Sequence, residues 1–189
     1  MKRLMCAQLI RERLKPDAVV LCGLGSTGGA WRAQKAPQLT YSVSDPMGMA
    51  LSLALGLALA QPRRDVVLLD GDGDFCTGVS ALFAIAGTAP PNLKIAVFNN
   101  RRYESGGGQP LPGTDNTSLS MVARGAGLAW VEDEADIDRL GVTLDRWLAQ
   151  PQTALLVLAI DPEPSPYPPV GPWSKAEERA VFMNRLLGS

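Results

Sequence analysis

The feature that most constrains the fold of this chain is a pair of apolar runs that each end in a short polar motif. Residues 66–69 lead into Gly71-Asp72-Gly73, and residues 94–98 lead into Asn99-Asn100. A helical stretch separates the two runs, which predicts two parallel strands whose carboxyl ends open on the same edge of one sheet. Sheets of this class bind ligands at that edge, so we expect Asp72 and Asn100 to lie together in a binding site.

The residues in these motifs suit a magnesium diphosphate site. The Asp72 carboxylate and the Asn100 amide supply hard oxygen ligands, which Mg²⁺ prefers together with substrate phosphates. Gly71 and Gly73 let the backbone approach a phosphate closely, and the helix expected from Phe75 offers free N–H groups. The two motifs together therefore predict a site for Mg²⁺ and a diphosphate.

Strand-like and helical patterns alternate along the rest of the chain. This alternation predicts an α/β fold with a doubly wound, mostly parallel sheet and helices on both faces. The 189 residues suffice for one domain, 1–189, with its own core. A proline-rich segment at 161–172 is expected to be extended, and a terminal helix at 174–187 is expected to begin at a Ser174–Glu177 capping box. The other expected strands are 18–22, 39–43, 128–131 and 154–160, and the other expected helices are 3–14, 47–60, 75–86, 118–125 and 135–149.

Composition argues against several functional classes. A net charge of −1 gives no support to binding of nucleic acid or of an anionic membrane. The three cysteines lack metal-binding spacing and predict reduced thiols in a cytoplasmic protein. The apolar run at 47–60 is too short to cross a bilayer and predicts a buried helix. The chain has no histidine, so any histidine acid–base step must come from another chain or be absent.

The Gly71-Asp72-Gly73 and Asn99-Asn100 motifs resemble the thiamine diphosphate motif of thiamine-dependent enzymes. The likeness extends into residues 99–110, whose Tyr-Glu-Ser-x-Gly-Gly-Gln run resembles that of the sulfopyruvate and phosphonopyruvate decarboxylases, and into residues 46–59 upstream. It covers about residues 19–128, which correspond to the diphosphate-binding domain of those enzymes.

The resemblance implies two cofactors, thiamine diphosphate and Mg²⁺. It implies that the Asp72 carboxylate, the Asn100 amide oxygen and the Arg102 backbone carbonyl hold the metal. A large apolar residue between the two thiamine rings brings the aminopyrimidine near the reactive carbon, and Met47 occupies that position here. The remaining implied contacts are Gly71, Gly73 and Asp74 with Ser26 or Thr27 at the diphosphate, the Asp45 backbone carbonyl at the aminopyrimidine, and Tyr103.

Two parts of this implied site carry further expectations. A carboxylate beside a diphosphate is repelled by it, so the Asp74 side chain is expected to turn outward or to meet a cation. The glycine-rich loop at 106–109 is either a mobile surface loop or a cover for the active site.

The activity implied by the resemblance is decarboxylation of a 2-oxo acid, in which the cofactor accepts the electrons released with CO₂. In the family, a glutamate on a separate pyrimidine-binding domain activates the cofactor, and one sheet accounts for this whole sequence. The resemblance therefore implies the diphosphate-binding subunit of a split decarboxylase for a sulfopyruvate- or phosphonopyruvate-like substrate. Such a subunit has no catalytic residue of its own and works in a hetero-oligomer with a pyrimidine-domain subunit, in which it also self-associates.

Three alternatives remain open at this point. A thiamine-dependent acyl or carboligating transferase would use the same cofactor site, and a non-catalytic thiamine-binding subunit would keep the fold. An NAD-binding Rossmann protein is the third alternative, because Gly23-x-Gly25-x-x-Gly28 follows one expected strand and Asp45 follows the next. Pro37 lies between them and disfavours the long helix that a dinucleotide fold needs.

Overall fold

The structure is a computed structural model that describes residues 1–43, 46–113, 115–164 and 175–188. Its strands are β1 (Val19–Cys22), β2 (Leu39–Ser42), β3 (Val66–Gly71), β4 (Leu93–Asn99), β5 (Arg102–Tyr103), β6 (Gln109–Pro110), β7 (Trp130–Glu134) and β8 (Ala154–Ala159). Six of them form one sheet in the order β2-β1-β3-β4-β8-β7, and every neighbouring pair in it is parallel. The predicted parallel α/β sheet is therefore confirmed. β5 and β6 form a separate antiparallel hairpin.

Helices pack against both faces of the six-stranded sheet. They are α1 (Arg3–Arg13), α2 (Ser26–Ala33), α3 (Ala50–Ala60), α4 (Asp72–Thr77), α5 (Ala81–Thr88), α6 (Leu119–Gly125), α7 (Ile137–Leu148) and α8 (Lys175–Leu187). One apolar core joins the sheet to α1, α2 and α7, and the other joins it to α3, α4, α5, α6 and α8. The chain is therefore doubly wound, as the alternating pattern predicts.

The central strands are apolar on both sides because both of their faces are covered. In β1, Val19 and Leu21 point into one core while Val20 and Cys22 point into the other, and all four are fully buried. Successive side chains of a strand alternate between faces, so a strand between two helix layers must be apolar throughout. The uninterrupted apolar runs that predicted β3 and β4 have the same cause.

Two predicted helices differ from those observed. The helix expected at 47–60 begins at Ala50, and it is not buried as predicted, because Leu53 is 39% and Leu59 is 53% exposed. The helix is apolar on every side, and the sheet covers only one of its faces. The single helix expected at 75–86 is two helices, α4 and α5. They are separated near Gly78, where a Cβ atom would lie 2.3 Å from the Gly48 backbone oxygen.

Two elements of the structure were not predicted from the local sequence. The helix α2 begins at Ser26, within the Gly23-x-Gly25-x-x-Gly28 motif, and was not among the predicted helices. Glycines lower the helix propensity of this segment, and burial of Trp31 in the core stabilises it. The glycine-rich loop at 106–109 leads into β6, which begins at Gln109 and pairs with β5.

The chain's C-terminal features are only partly described. The terminal helix runs from Lys175 to Leu187. The proposed cap residue Ser174 and residues 165–172 of the proline-rich segment lie outside the described residues. Within the described ranges, no helix combines the length and apolar character that a membrane span requires.

Candidate functional site

A cavity of about 580 Å³ lies at the carboxyl edge of the six-stranded sheet. The connections that follow β1, β3 and β4 form its walls, as the parallel arrangement predicts. Asp45 lies outside the described residues. Every other predicted site residue lines the cavity: Ser26, Thr27, Met47, Gly71, Asp72, Gly73, Asp74, Asn100, Arg102 and Tyr103.

Asp72 is the first residue of α4 and is 3% exposed. Its Oδ1 atom accepts a hydrogen bond from the Gly73 N–H at 2.9 Å, and its Oδ2 atom accepts one from the Arg101 N–H at 2.5 Å. Burial raises the pKa of this carboxyl to about 6, although these backbone N–H groups oppose the increase. A cation at this position would stabilise the ionised carboxylate.

Asn100 lies beside Asp72 at the end of the neighbouring strand. Its Oδ1 atom accepts a hydrogen bond from the Arg102 N–H at 2.9 Å, and its Nδ2 atom donates one to Glu104 Oε2 at 2.8 Å. Arg101, which lies between Asn100 and Arg102, has φ of 61°. Residues other than glycine rarely adopt this left-handed backbone conformation. The Arg101 N–H donates to Asp72 Oδ2, so the turn that follows Asn100 lies against the Asp72 carboxylate.

The expectation for the Asp74 side chain is wrong. The carboxylate does not turn outward or meet a cation: it is 5% exposed and accepts hydrogen bonds from the Leu24 N–H at 3.0 Å and from the Gly48 N–H. These bonds connect the ends of three chain segments around the cavity. The neighbouring Asp70 is fully buried, and burial and the Asp74 charge raise its pKa well above the ordinary value.

Gly23 is required beside these two carboxylates. A Cβ atom there would lie 1.9 Å from Asp70 Oδ1 and 2.9 Å from Asp74 Oδ2. The glycines of the 23–28 motif thus have a packing role that is independent of nucleotide binding. This accounts for part of the pattern that suggested an NAD site.

The β5–β6 hairpin and the short 3₁₀ helix Glu104–Gly106 form the outer wall of the cavity. The Tyr103 ring lies against the Gly73 backbone, where a Cβ atom would be 2.7 Å from it. Gly25 has φ of 110°, and a Cβ atom there would lie 2.9 Å from Ser105 Oγ. Gly106 and Gln109 also line the cavity, so the predicted loop lies beside the site.

Sequence reasoning missed several residues of the site, of which Arg3 and its partner Glu104 are the charged ones. Arg3 lies on α1, is 2% exposed, and lines the cavity. Its guanidinium pairs with Glu104, which is 101 positions away in the chain. The local pattern indicated only an amphipathic helix, and no motif links two positions so far apart. The sequence pattern therefore could not predict that Arg3 is buried in the site.

The residues present fit Mg²⁺ and a diphosphate. A buried carboxylate and an amide oxygen lie at one turn, and two oxygen ligands leave positions for phosphate oxygens. Gly71, the last residue of β3, leaves open space in front of the backbone, since among the described residues only the Leu24 carbonyl oxygen lies within 4 Å of an added Cβ atom. A phosphate can therefore approach the chain closely at this point.

Comparison with known proteins agrees with this fit. The family model described as "Thiamine pyrophosphate enzyme, C-terminal TPP binding domain" matches residues 23–157. A sulfopyruvate decarboxylase subunit beta from Methanothermobacter thermautotrophicus is 36% identical over 123 residues, which are 65% of this chain and 65% of that protein. A phosphonopyruvate decarboxylase from Streptomyces viridochromogenes is 32% identical over 161 residues, which are 85% of this chain and 40% of that protein.

A solved structure shows the same fold. The thiamine diphosphate-dependent 4-hydroxybenzoylformate decarboxylase of Rhodococcus jostii RHA1 superposes with a TM-score of 0.71 at 23% identity, covering 85% of this chain and 33% of that one. These matches do not favour the NAD-binding alternative. The chain belongs to the family of thiamine pyrophosphate enzymes, as a C-terminal TPP-binding domain with thiamine diphosphate and its Mg²⁺ as cofactors.

Proposed function

We propose that this chain is the diphosphate-binding subunit of a split thiamine diphosphate-dependent 2-oxo acid decarboxylase. The observation that carries the proposal is the buried turn at which the Asp72 carboxylate and the Asn100 amide lie together. The similarity to a sulfopyruvate decarboxylase subunit beta, over 65% of each chain, supports a subunit rather than a whole enzyme. The substrate is a 2-oxo acid with a second acidic group, like sulfopyruvate or phosphonopyruvate.

Each residue of the cavity has a defined part in this proposal. Asp72, Asn100 and the Arg102 backbone carbonyl hold Mg²⁺. The diphosphate binds the backbone at Gly71, Gly73 and Asp74, with Ser26 beside it, and the Asp45 carbonyl accepts a hydrogen bond from the aminopyrimidine. Met47, which is 37% exposed at the cavity wall, supports the bent cofactor, and Tyr103 covers the Gly73 backbone. When bound, the cofactor would supply a nucleophilic carbon and an electron sink for decarboxylation of the 2-oxo acid.

The glutamates of the chain support a separate pyrimidine-domain subunit. Thiamine chemistry requires a glutamate that exchanges a proton with the aminopyrimidine. In the described part of the chain, Glu104 is the glutamate that lines the cavity, and its carboxylate is paired with Arg3 and hydrogen-bonded to Asn100. In this proposal Glu104 belongs to the metal end of the site, and the activating glutamate is supplied by the pyrimidine-domain subunit.

An exposed apolar surface supports an interface with that subunit. Leu53 and Leu59 on α3 are 39% and 53% exposed, and Phe83 on the adjacent α5 is 69% exposed. Neither helix carries a charged residue. Exposed apolar surfaces of this kind mark protein interfaces. We propose that this surface takes part in a cytoplasmic hetero-oligomer in which the chain also self-associates.

The proposal is tested by reconstitution. The chain is purified alone and together with a short pyrimidine-domain protein encoded by a neighbouring gene. Each sample is assayed for CO₂ release from sulfopyruvate and phosphonopyruvate with thiamine diphosphate and Mg²⁺. We expect turnover only with both chains. A purified single chain with a kcat of about 1 s⁻¹ or more would contradict the split-subunit proposal.

A carboligating transferase is the second candidate. A large subunit of acetolactate synthase isozyme 1 from Escherichia coli is 31% identical over 162 residues, which supports keeping this class in the test. Product analysis of the reconstituted complex separates the two. A decarboxylase releases the aldehyde, whereas a transferase joins the two-carbon or larger fragment to a second 2-oxo acid.

A further inference from the structure

The Asn100 side chain has two different atoms at its end, and only one of them can bind a metal. The Oδ1 atom can coordinate Mg²⁺, while the Nδ2 group only donates hydrogen bonds. In the structure Nδ2 donates to Glu104 Oε2 at 2.8 Å. An ionised carboxylate only accepts hydrogen bonds, so a rotated amide would place two oxygens in contact. Asn100 Oδ1 accepts a hydrogen bond from the Arg102 N–H at 2.9 Å, so Glu104 and this N–H together fix the orientation of the Asn100 amide.

Arg3 in turn holds Glu104. Its guanidinium forms an ion pair with the Glu104 oxygen that accepts the Asn100 bond, and the Arg3 side chain is 3% exposed. The Glu104 side chain is 18% exposed. Within the described ranges, its other oxygen, Oε1, is buried without a hydrogen-bond partner. One carboxylate oxygen thus carries both contacts, and its position depends on the arginine.

We propose that Arg3 and Glu104 are positioning residues of the magnesium site, which hold the Asn100 amide with Oδ1 toward the metal. The inference rests on the proposed function for the presence of Mg²⁺ at Asp72 and Asn100. The groups that orient metal ligands typically change metal affinity by about 10- to 100-fold when they are removed. Arg3 contacts Glu104, and Glu104 contacts Asn100, so these two residues are groups that orient a proposed metal ligand.

The first test measures Mg²⁺ affinity of the full chain by calorimetry in the presence of excess thiamine diphosphate. Glu104→Met, which removes the acceptor, and Arg3→Met are each expected to weaken Mg²⁺ binding by about 10- to 100-fold. Combining them should cost little more than either alone, because the two residues act on one amide. Arg3→Lys should restore part of the affinity, since it keeps the positive charge.

The matched control is Glu132→Met. Glu132 is 27% exposed and also pairs with an arginine, Arg146, but it lies on β7 and does not line the cavity. The control variant should leave Mg²⁺ affinity unchanged. Equal Mg²⁺ affinity in the wild-type chain and in Glu104→Met would overturn the positioning role alone. A wild-type chain that shows no Mg²⁺-dependent cofactor binding would overturn both this role and the proposed metal site.

The second test needs no metal and no cofactor. The side-chain amide signals of Asn100 are identified by NMR as those lost in Asn100→Asp. In the wild-type chain, the proton that faces Glu104 should be shifted by the carboxylate and protected from exchange with water. In Glu104→Met and Arg3→Met both effects should decrease. Unchanged Asn100 amide signals in both variants would contradict the proposed orientation, even if Mg²⁺ affinity falls.

Discussion

The buried Asp72 carboxyl should make the stability of the metal-free chain depend on pH. Its pKa rises from the ordinary 3.8 to about 6, chiefly because of burial. The folded state therefore favours the protonated form, and ionisation weakens the fold. Each pKa unit corresponds to about 1.4 kcal/mol, so the shift of roughly two units amounts to about 3 kcal/mol. This contribution is lost as the pH rises from about 4 to above about 6.

The perturbation that isolates this effect is Asp72→Asn. In the wild-type chain, the N–H groups of Gly73 and Arg101 both donate to the Asp72 carboxylate. In Asp72→Asn, the new side-chain NH₂ group must face one of these two N–H donors. That cost is independent of pH. The difference in unfolding free energy between wild type and variant should therefore shift by about 3 kcal/mol against the wild type between about pH 4 and about pH 7.5.

The assay is urea unfolding at a series of pH values, without Mg²⁺ or thiamine diphosphate. Asp133→Asn removes an exposed carboxylate on β7 and controls for the loss of one charge. A wild-type-to-variant difference that stays constant within about 0.5 kcal/mol across this range would refute the burial argument. With Mg²⁺ and cofactor present, the wild-type chain should bind the metal more weakly below about pH 6, because the proton on Asp72 competes with it.

Three further predictions follow from the geometry of the site. Asp72→Ala should abolish Mg²⁺-dependent binding of thiamine diphosphate, and undiminished binding in calorimetry would contradict the metal assignment. Gly73→Ala should lower the unfolding free energy by about 1–3 kcal/mol, because its Cβ atom would meet the Tyr103 ring; the same change in a Tyr103→Ala background should cost much less. Arg101→Val should cost at least about 1 kcal/mol in urea unfolding whereas Arg101→Gly should not, since φ is 61° there, and equal costs would exclude backbone strain.

The sequence by itself determined the parallel sheet and the position of the site. The strand pattern depends on apolar runs that are local in the chain, and both faces of β3 and β4 are buried. Once two such strands are parallel, their carboxyl ends must meet at one edge. That relation was sufficient to place Asp72 and Asn100 together. The Ser118 cap of α6 was equally local, and its side chain accepts a hydrogen bond from the Met121 N–H as expected.

The tertiary structure decided the features that depend on contacts between distant segments. The break at Gly78 exists because the Gly48 backbone passes against it, and Asp74 faces inward because Leu24 and Gly48 direct N–H groups at it. α2 is stable despite its glycines because Trp31 is buried in the core. α3 is exposed on one face because the sheet covers only the other, which depends on the packing of the whole layer.

The pairing of Arg3 with Glu104 is the clearest feature that the tertiary structure decided and the local sequence did not. Each residue alone resembles an ordinary charged residue, one on a helix and one in a loop. Their burial together, beside a predicted metal ligand, depends on the packing of α1 into the core on one face of the sheet and on the turn after β4, which are far apart in the chain. A charge is stable in such a place only when a partner compensates it, and the fold rather than the local sequence determines which partner is near.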